Sequence, residues 1–512
     1  MYGYCGRILH VDLTSRRCHV EEPSEDFYRK YIGGSSLGVY YALTKMPPRI
    51  DAFDPRNVLV FATSATTGAP ISGASRFNVT AKSPLTGAIG DSQAGGFWGT
   101  ELKYAGFDAI VITGRSSRPT YLWICDGEYE LRDATVMWGM ETGEAQKAIR
   151  EELKDPKVRV ALIGQAGENL VRYACITNEL KHFNGRTGMG AVMGSKNLKA
   201  IAVRGTRPPQ FADKDAITAL ARSGAKRSAT HPVAMSLRDY GTAAVVSGNQ
   251  AASGLPTRNW TSGVFEHADA ISGAAMKKTI LVKNEACWAC AIRCKRVVKA
   301  DEPYKVDPAY GGPEYESIGA LGSYLGVGDL VAVSKATELC NRYGLDTIST
   351  GGTLAFAMEC YENGIITSSH TGGLELKFGN ADAALKVIEA IAQRKGIGDV
   401  LAEGSARAAE RLGNGAERFA ICVKGQEFPA HMPRVKGSLA LAYACNPFGA
   451  DHQSSEHDPC LAAEPFDEDL TSLGFRSAVA PSTLNFEKVK LWAYSQRLYS
   501  ALDTLDLCQF CF

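Results

Sequence analysis

Apolar residues open the chain at every second position. The run Arg7-Ile8-Leu9-His10-Val11-Asp12-Leu13 predicts a strand, and turn residues followed by Cys18-His19-Val20 predict its hairpin partner. Residues 25–31 have helical spacing, and Gly33-Gly34 predicts a stop before a second helix in the apolar run 37–43. Short β-rich segments bounded by turn residues then follow at 58–62, 77–81, 109–113, 121–124, 158–163 and 200–203. Beyond Gly205-Thr206-Arg207-Pro208-Pro209 the period changes. Residues 213–228, 329–343, 352–362, 380–394, 399–412 and 486–502 carry apolar side chains three or four apart, as core-facing helices do. The pattern predicts an α+β chain: a β-rich amino-terminal base domain at 1–208, a helical domain at 209–424 and a last helical domain at 425–512. The second boundary falls near Lys424-Gly425, where helical spacing gives way to Glu427-Phe428-Pro429-Ala430-His431.

At 512 residues the chain is too long for one ordinary core. Its 56 Lys+Arg against 55 Asp+Glu leave a net charge of +1, so no global field argues for nucleic acid or an anionic membrane surface. No stretch approaches a membrane-spanning apolar run, and the amino end lacks the basic and apolar regions of a secretory signal, which predicts a cytoplasmic protein. Fourteen cysteines are too few for a disulfide scaffold, and their grouping at 287–294 and 508–511 fits metal ligation in a reducing compartment. The 52 glycines predict many tight turns and close backbone approaches, as a bulky buried ligand would need.

The chemistry centres on Cys287-Trp288-Ala289-Cys290-Ala291-Ile292-Arg293-Cys294. Spacings of two and then three residues let three thiols turn inward on one loop, as in three of the four ligands of a cubane iron-sulfur cluster. Zinc ligation and ordinary buried thiols are the alternatives. Two glycine-rich stretches interrupt the strands. One contains Arg76, Gln93 and Gly95; the other runs Asn184-Gly185-Arg186-Thr187-Gly188-Met189-Gly190. Glycines around an arginine allow backbone N–H groups and a guanidinium fork to approach an anion, or simply form a turn packed on a strand. Neither stretch has the phosphate-loop or dinucleotide-binding spacing. Glu314 and Glu316 flank Tyr315, and in an extended segment they would share one face as candidate proton acceptors. His431 and His457 read as loop or surface histidines.

Together these motifs resemble the aldehyde:ferredoxin oxidoreductase family. The resemblance runs through Ser75-Arg76-Phe77-Asn78, the second glycine-rich stretch, the cysteine triad, Gly312-Pro313-Glu314-Tyr315-Glu316, Asp346-Thr347-Ile348-Ser349 and residues 503–508. It implies a tungsten (or molybdenum) bis-pterin cofactor, a 4Fe-4S cluster beside one pterin, and magnesium linking the pterin phosphates. It also implies a base domain with two helical domains closing over the cofactor. Cys508 would complete the cluster with Cys287, Cys290 and Cys294, Cys511 being its rival or a buried thiol. The implied cofactor contacts are Arg76, Gln93, Gly95, Asn184, Gly185, Arg186 and Gly188, with Asp346, Thr350 and Gly351 from one Asp motif and Asp503 and Leu507 from the other. In each Asp motif the carboxylate and the closing backbone amides would address a pterin. Gln93 departs from the Asn expected there. Glu314 or Glu316, with His452, would be catalytic. Cys340 stands where some members carry a glutamate for a bridging iron, so that iron is not expected. Relatives continue beyond the position of Cys508, which makes the last domain shortened or its carboxyl end missing.

The implied activity is oxidation of an aldehyde to a carboxylic acid, with water as oxygen donor. Electrons would leave through the cluster to ferredoxin or an iron-sulfur subunit, in some assemblies with a flavoprotein reaching NAD; a homo-oligomer or a hetero-complex would serve. The alternatives are low-potential reduction of an aromatic acyl thioester within the same family, and a zinc-stapled binding module without redox chemistry.

Overall fold

The computed structural model describes residues 1–458, 471 and 478–511. Two six-stranded sheets form the amino-terminal part. The first contains β1 (Ile8–Asp12), β2 (Arg17–Glu21), β3 (Leu59–Ala62), β4 (Phe77–Lys82), β5 (Ile89–Ala94) and β6 (Ala109–Thr113), in the order β2-β1-β6-β3-β4-β5. The second contains β7 (Thr120–Cys125), β8 (Glu128–Asp133), β9 (Arg159–Leu162), β10 (Ile176–Asn178), β11 (His182–Asn184) and β12 (Leu198–Arg204), in the order β11-β10-β9-β12-β7-β8. Each sheet has one parallel pair, β1 with β6 and β7 with β12; the other pairs are antiparallel. Apolar faces of the two meet in one core, where Leu9, Phe61, Phe77 and Ile110 pack with Leu122, Ile124, Ile201 and Val203. Trp98 is wholly buried there and its indole N–H donates to the Ile201 carbonyl at 3.0 Å. Each such aliphatic or aromatic side chain contributes about 1.5–3 kcal/mol relative to exposure.

The expected strands lie in these sheets. The alternation missed β5, β8, β10 and β11: β5 reads Ile-Gly-Asp-Ser-Gln-Ala and is held by cross-strand pairing with β4, not by an apolar face. Helices dominate after residue 213. Leu330–Tyr343 starts on an Asp329 cap and ends at Gly344, whose φ of 74° is the left-handed closure that glycine permits. The expected helix over 399–412 is two helices, Ile397–Leu401 and Ser405–Leu412, parted at Gly404 with φ 87°. Helix Tyr315–Leu321 and helix Thr347–Glu362 pack in the largest core, with Gly351 pressed so close that a Cβ would stand 2.2 Å from the Ala320 carbonyl oxygen.

The last helix, Phe486–Thr504, returns to the base. Gly34 makes this approach possible, since a Cβ there would meet the Asp503 carbonyl oxygen at 2.2 Å. Ser64 Oγ donates to the Leu505 carbonyl at 2.6 Å, and the Cys508 amide donates to the Gly73 carbonyl at 3.0 Å. Among the described residues no single helix is long and apolar enough to cross a membrane.

Candidate active site and cofactor cavity

A cavity of about 1200 Å³ lies between the base and the helices. The hairpin of β13 (Leu281–Glu285) and β14 (Lys295–Val298) presents the cysteine triad at one end of it. Left-handed backbone at Ala289 (φ 55°) and Arg293 (φ 60°) folds the intervening loop, and the Trp288 and Ala291 amides tie it to Gly96 O and Ser72 Oγ at 3.1 and 3.0 Å. A small adjoining space of about 30 Å³ is lined by Cys287, Cys290, Cys294, Cys508 and Cys511 with Arg76 and Gly95. A side chain at residue 95 would put its Cβ 2.8 Å from Cys287 Sγ, so glycine is needed for the thiol to sit there. The Cys511 thiol, donating to Cys508, holds Cys508 well below its ordinary range, against burial and with help from Arg76. The same thiol lowers Cys290 to about 7. Thiols converging on one small space, two of them biased toward thiolate and facing a guanidinium, fit an iron-sulfur cluster.

The middle of the cavity is braced by polar side chains. Arg76 Nε donates to Gln93 Oε1 at 3.0 Å, and Gln93 Nε2 donates to the Asp503 carbonyl at 3.0 Å, so the base grips the last helix. Asn184 is fully buried; its Nδ2 donates to Ser92 O at 2.8 Å and its Oδ1 has no hydrogen-bond partner. Gly185 and Arg186 line the cavity. The Arg186 fork donates to Ala450 O at 2.8 Å and Glu427 O at 2.6 Å, with Nε 3.4 Å from Asp346. Asp346 caps the helix Thr347–Glu362, accepting from the Ile348 amide at 2.9 Å.

Farther along stands a carboxylate among imidazoles. Glu316 Oε1 lies 3.0 Å from His431 Nε2 and 3.5 Å from His452 Nε2, while Oε2 accepts the Ala430 amide at 2.8 Å. His457 Nε2 donates to the His452 carbonyl at 2.8 Å. Burial lowers His452 to about 3, against the pull of Glu316, and drives His431 well below the ordinary imidazole range, so both rings are neutral. Glu314 sits apart: it caps the helix Tyr315–Leu321, lies 2.7 Å from Lys295 and accepts from Thr242. Although burial opposes it, Lys295 holds the Glu314 carboxyl below its ordinary range.

Two family models match this chain, "Aldehyde ferredoxin oxidoreductase, N-terminal domain" over residues 8–205 and "Aldehyde ferredoxin oxidoreductase, domains 2 & 3" over 219–512. The chain is 42% identical over 517 residues to the tungsten-containing aldehyde ferredoxin oxidoreductase of Pyrococcus abyssi, covering 100% of this chain and 82% of that protein. It is 33% identical to the aliphatic sulfonate oxidoreductase WOR-like subunit of Pyrococcus furiosus, covering 96% of this chain and 81% of that one. The solved active site complex BamBC of benzoyl coenzyme A reductase with 1,5-dienoyl-CoA superposes with a TM-score of 0.85 at 25% identity, over 99% of this chain and 82% of that one. The chain belongs to the aldehyde ferredoxin oxidoreductase family. It is therefore an oxidoreductase, and the family's arrangement of a β-rich amino-terminal domain followed by helical domains is the fold described above.

Several residues implied by family resemblance stand elsewhere than expected. Glu314 and Glu316 do not share a face, because residues 315–321 are helical and two residues along a helix point to nearly opposite sides. Thr350 and Gly351 are interior to a helix, outside the cavity wall, and the Thr350 amide is spent on Asp346 O at 3.0 Å. Leu507 packs against the cluster of Ala69, Ile71 and Ala74, and its amide is spent on Leu502 O at 3.0 Å. Asp503 meets the cavity only through its carbonyl on Gln93; burial raises its carboxyl to about 8. Gly188 is a packing position, where a Cβ would stand 2.1 Å from Arg172 O. The fork of Arg186 is committed to backbone carbonyls, not left open for phosphate. His431 and His457 are neither surface nor loose: both line the cavity. A signal for them existed, since three of the chain's nine histidines fall between 431 and 457. Lys295, Thr242 and Lys436, all at the cavity wall, were missed altogether.

Proposed function

We propose that this protein oxidises aldehydes to carboxylic acids, RCHO + H2O → RCOOH + 2 H+ + 2 e−. What carries the reading is that one cavity joins the converging thiols to the Glu316–His452 pair, in a chain similar throughout to tungsten-containing aldehyde ferredoxin oxidoreductases. Cys287, Cys290, Cys294 and Cys508 would hold a 4Fe-4S cluster. Arg76, Gly95, Gly185 and Asp346 would border the pterins, with magnesium near Gln93 and Asn184, whose free Oδ1 suits a cation. When bound, a tungsten bis-pterin supplies a two-electron acceptor and the cluster an outward path to ferredoxin or an iron-sulfur subunit.

The protein's own work is proton handling and orientation. The Glu316 side chain lines the cavity and its Oε1 has no aligned donor, so a turn of the carboxylate would let it take the proton of an attacking water or aldehyde hydrate. His452, neutral through burial, retains one N–H; placed on Nε2, it donates to the aldehyde oxygen as negative charge develops there. Ala234, Leu237 and Val435 add apolar side chains to the cavity wall.

A second reading, low-potential reduction of an aromatic acyl thioester, is favoured by the superposition on the benzoyl coenzyme A reductase complex. Anaerobic purification, metal analysis and a dye-reduction screen with aldehydes separate the readings. Tungsten or molybdenum with about four irons per chain and aldehyde-dependent dye reduction is the expected result. Thioester-dependent activity without aldehyde oxidation would transfer the assignment to the second reading, and zinc alone would refute both.

A further inference from the structure

Glu316 is held from behind by a line of two buried side chains that the chemistry above does not use. His431 is only 4% exposed and Lys436 6%. His431 Nδ1 lies 2.8 Å from Lys436 Nζ, and Nε2 lies 3.0 Å from Glu316 Oε1 on the opposite side of the ring. With Lys436 as an ammonium, which has donors and no acceptor, Nδ1 accepts. A neutral imidazole owns a single N–H, which is thereby placed on Nε2, toward the carboxylate. Burial keeps the ring neutral. The ring is also boxed in, tilted against Tyr315 with centroids 5.1 Å apart and edge-on to His457 at 4.4 Å.

We propose that His431 and Lys436 are positioning residues for Glu316, Lys436 selecting the imidazole tautomer whose Nε2–H orients the carboxylate toward the substrate. The proposal rests on the reading of Glu316 as the base. In this structure the His431 N–H is close to Oε1 but not in line with it, so the hydrogen bond requires the carboxylate to turn, as catalytic contacts do on binding substrate. The same geometry argues against a different use of the site. Glu316, His431 and His452 bring potential metal-ligand atoms within 4.8 Å of one another, the donor set of a divalent cation. A proton on His431 Nε2 occupies the lone pair such a cation would need.

Among the described residues, charged or titratable groups around this line include His452, His457, Arg186 and Glu456, with the phenols of Tyr315, Tyr324 and Tyr443, which burial keeps protonated. A hydrogen bond to the carboxylate favours its charged form, so loss of the donor makes Glu316 harder to ionise. The acidic limb of the pH profile then moves to higher pH.

The test compares wild type, His431→Leu, His431→Gln, Lys436→Met and Glu316→Gln as tungsten-loaded, anaerobically purified enzymes. It reads kcat/KM for an aldehyde against pH, kcat and KM separately, and tungsten and iron content. In His431→Leu the acidic limb should rise by about one to two pH units, the scale of one hydrogen bond to an ionised group. In the same variant kcat should fall while KM holds. His431→Gln, which places an amide N–H near the position of Nε2, should restore the limb toward wild type. Lys436→Met should move it as His431→Leu does, by less, because the imidazole is then free to choose either tautomer. Nitrogen-15 shifts of labelled histidines, with His431 assigned from the His431→Gln spectrum, should show Nε2 protonated. An Nδ1-protonated His431, or an unmoved acidic limb in Lys436→Met and His431→Leu while Glu316→Gln is inactive, overturns the proposal and leaves the base assignment standing. Full turnover in Glu316→Gln overturns the base assignment and this proposal with it. Should His431→Leu fail to load tungsten, the Lys436→Met profile and the labelled spectrum decide.

Discussion

The two ends of the cavity are built in opposite ways. At the thiol end three cysteines come from eight consecutive residues on one hairpin, their spacing alone suggested metal, and Cys508 and Cys511 arrive from afar. At the carboxylate end the groups come from three separate segments: Glu316 from a helix, His431 and Lys436 from a loop, His452 and His457 from another. A site made of one local loop is legible in sequence and tolerant of what surrounds it. A site made of dispersed side chains depends on how the domains close.

The sharpest way to break that contrast is at Cys508, a remote member of the local end. Replacing Cys508 with Ala should remove most of the cluster, from about four irons per chain to under about one. Cys511→Ala should retain the iron but shift the reduced cluster's EPR signal. Equal iron in wild type and Cys508→Ala, with loss in Cys511→Ala, would exchange their roles. At the dispersed end, Glu316→Gln should lower kcat by roughly 10²-fold or more with metal content unchanged. Glu314→Gln should leave turnover near wild type and cost about 1 kcal/mol in denaturant stability, because its partner Lys295 is partly solvated. The reverse ranking would return the base to Glu314. His452→Ala should lose roughly 10²-fold in kcat, the scale of one missing donor to a developing oxyanion, again with tungsten and iron in place. Full turnover there would remove the histidine from the chemistry.

The smallest expected effect concerns acid. His452 takes up a proton far less readily folded than unfolded, since burial lowers it to about 3. The unfolded chain therefore binds more protons below about pH 6.5, and the stability that His452 contributes is full above that pH and drains away toward pH 3. Urea midpoints measured downward from pH 7 should fall less steeply for His452→Gln than for wild type; parallel curves would show that the imidazole end is not the acid-sensitive one.

How much of this was readable follows the same division. Strands with alternating apolar residues, such as β1 and β6, declared themselves, whereas β5 and β11 did not, because neighbouring strands and not their own side chains hold them in place. The segment Gly312-Pro313-Glu314-Tyr315-Glu316 reads as extended because glycine and proline break the helical pattern, yet Glu314 caps a helix and Glu316 lies within it, which is what separates the two carboxylates. His431 stands between Pro429 and Pro433, in what looks like solvent-exposed loop. Only tertiary closure buries it. Thr350 and Gly351 show the converse: the Asp motif was visible, but one turn of helix carries its far end into the core and away from the cavity.

The grip of the last helix on the base also bears on how the enzyme is made. Cys508 is synthesised long after the triad, and it reaches the other thiols only when Gly34 and Gly73 have received the segment around it. Tyr499, Cys508 and Phe510 line the cavity, so docking of the final helix builds one side of the space between the base and the helices.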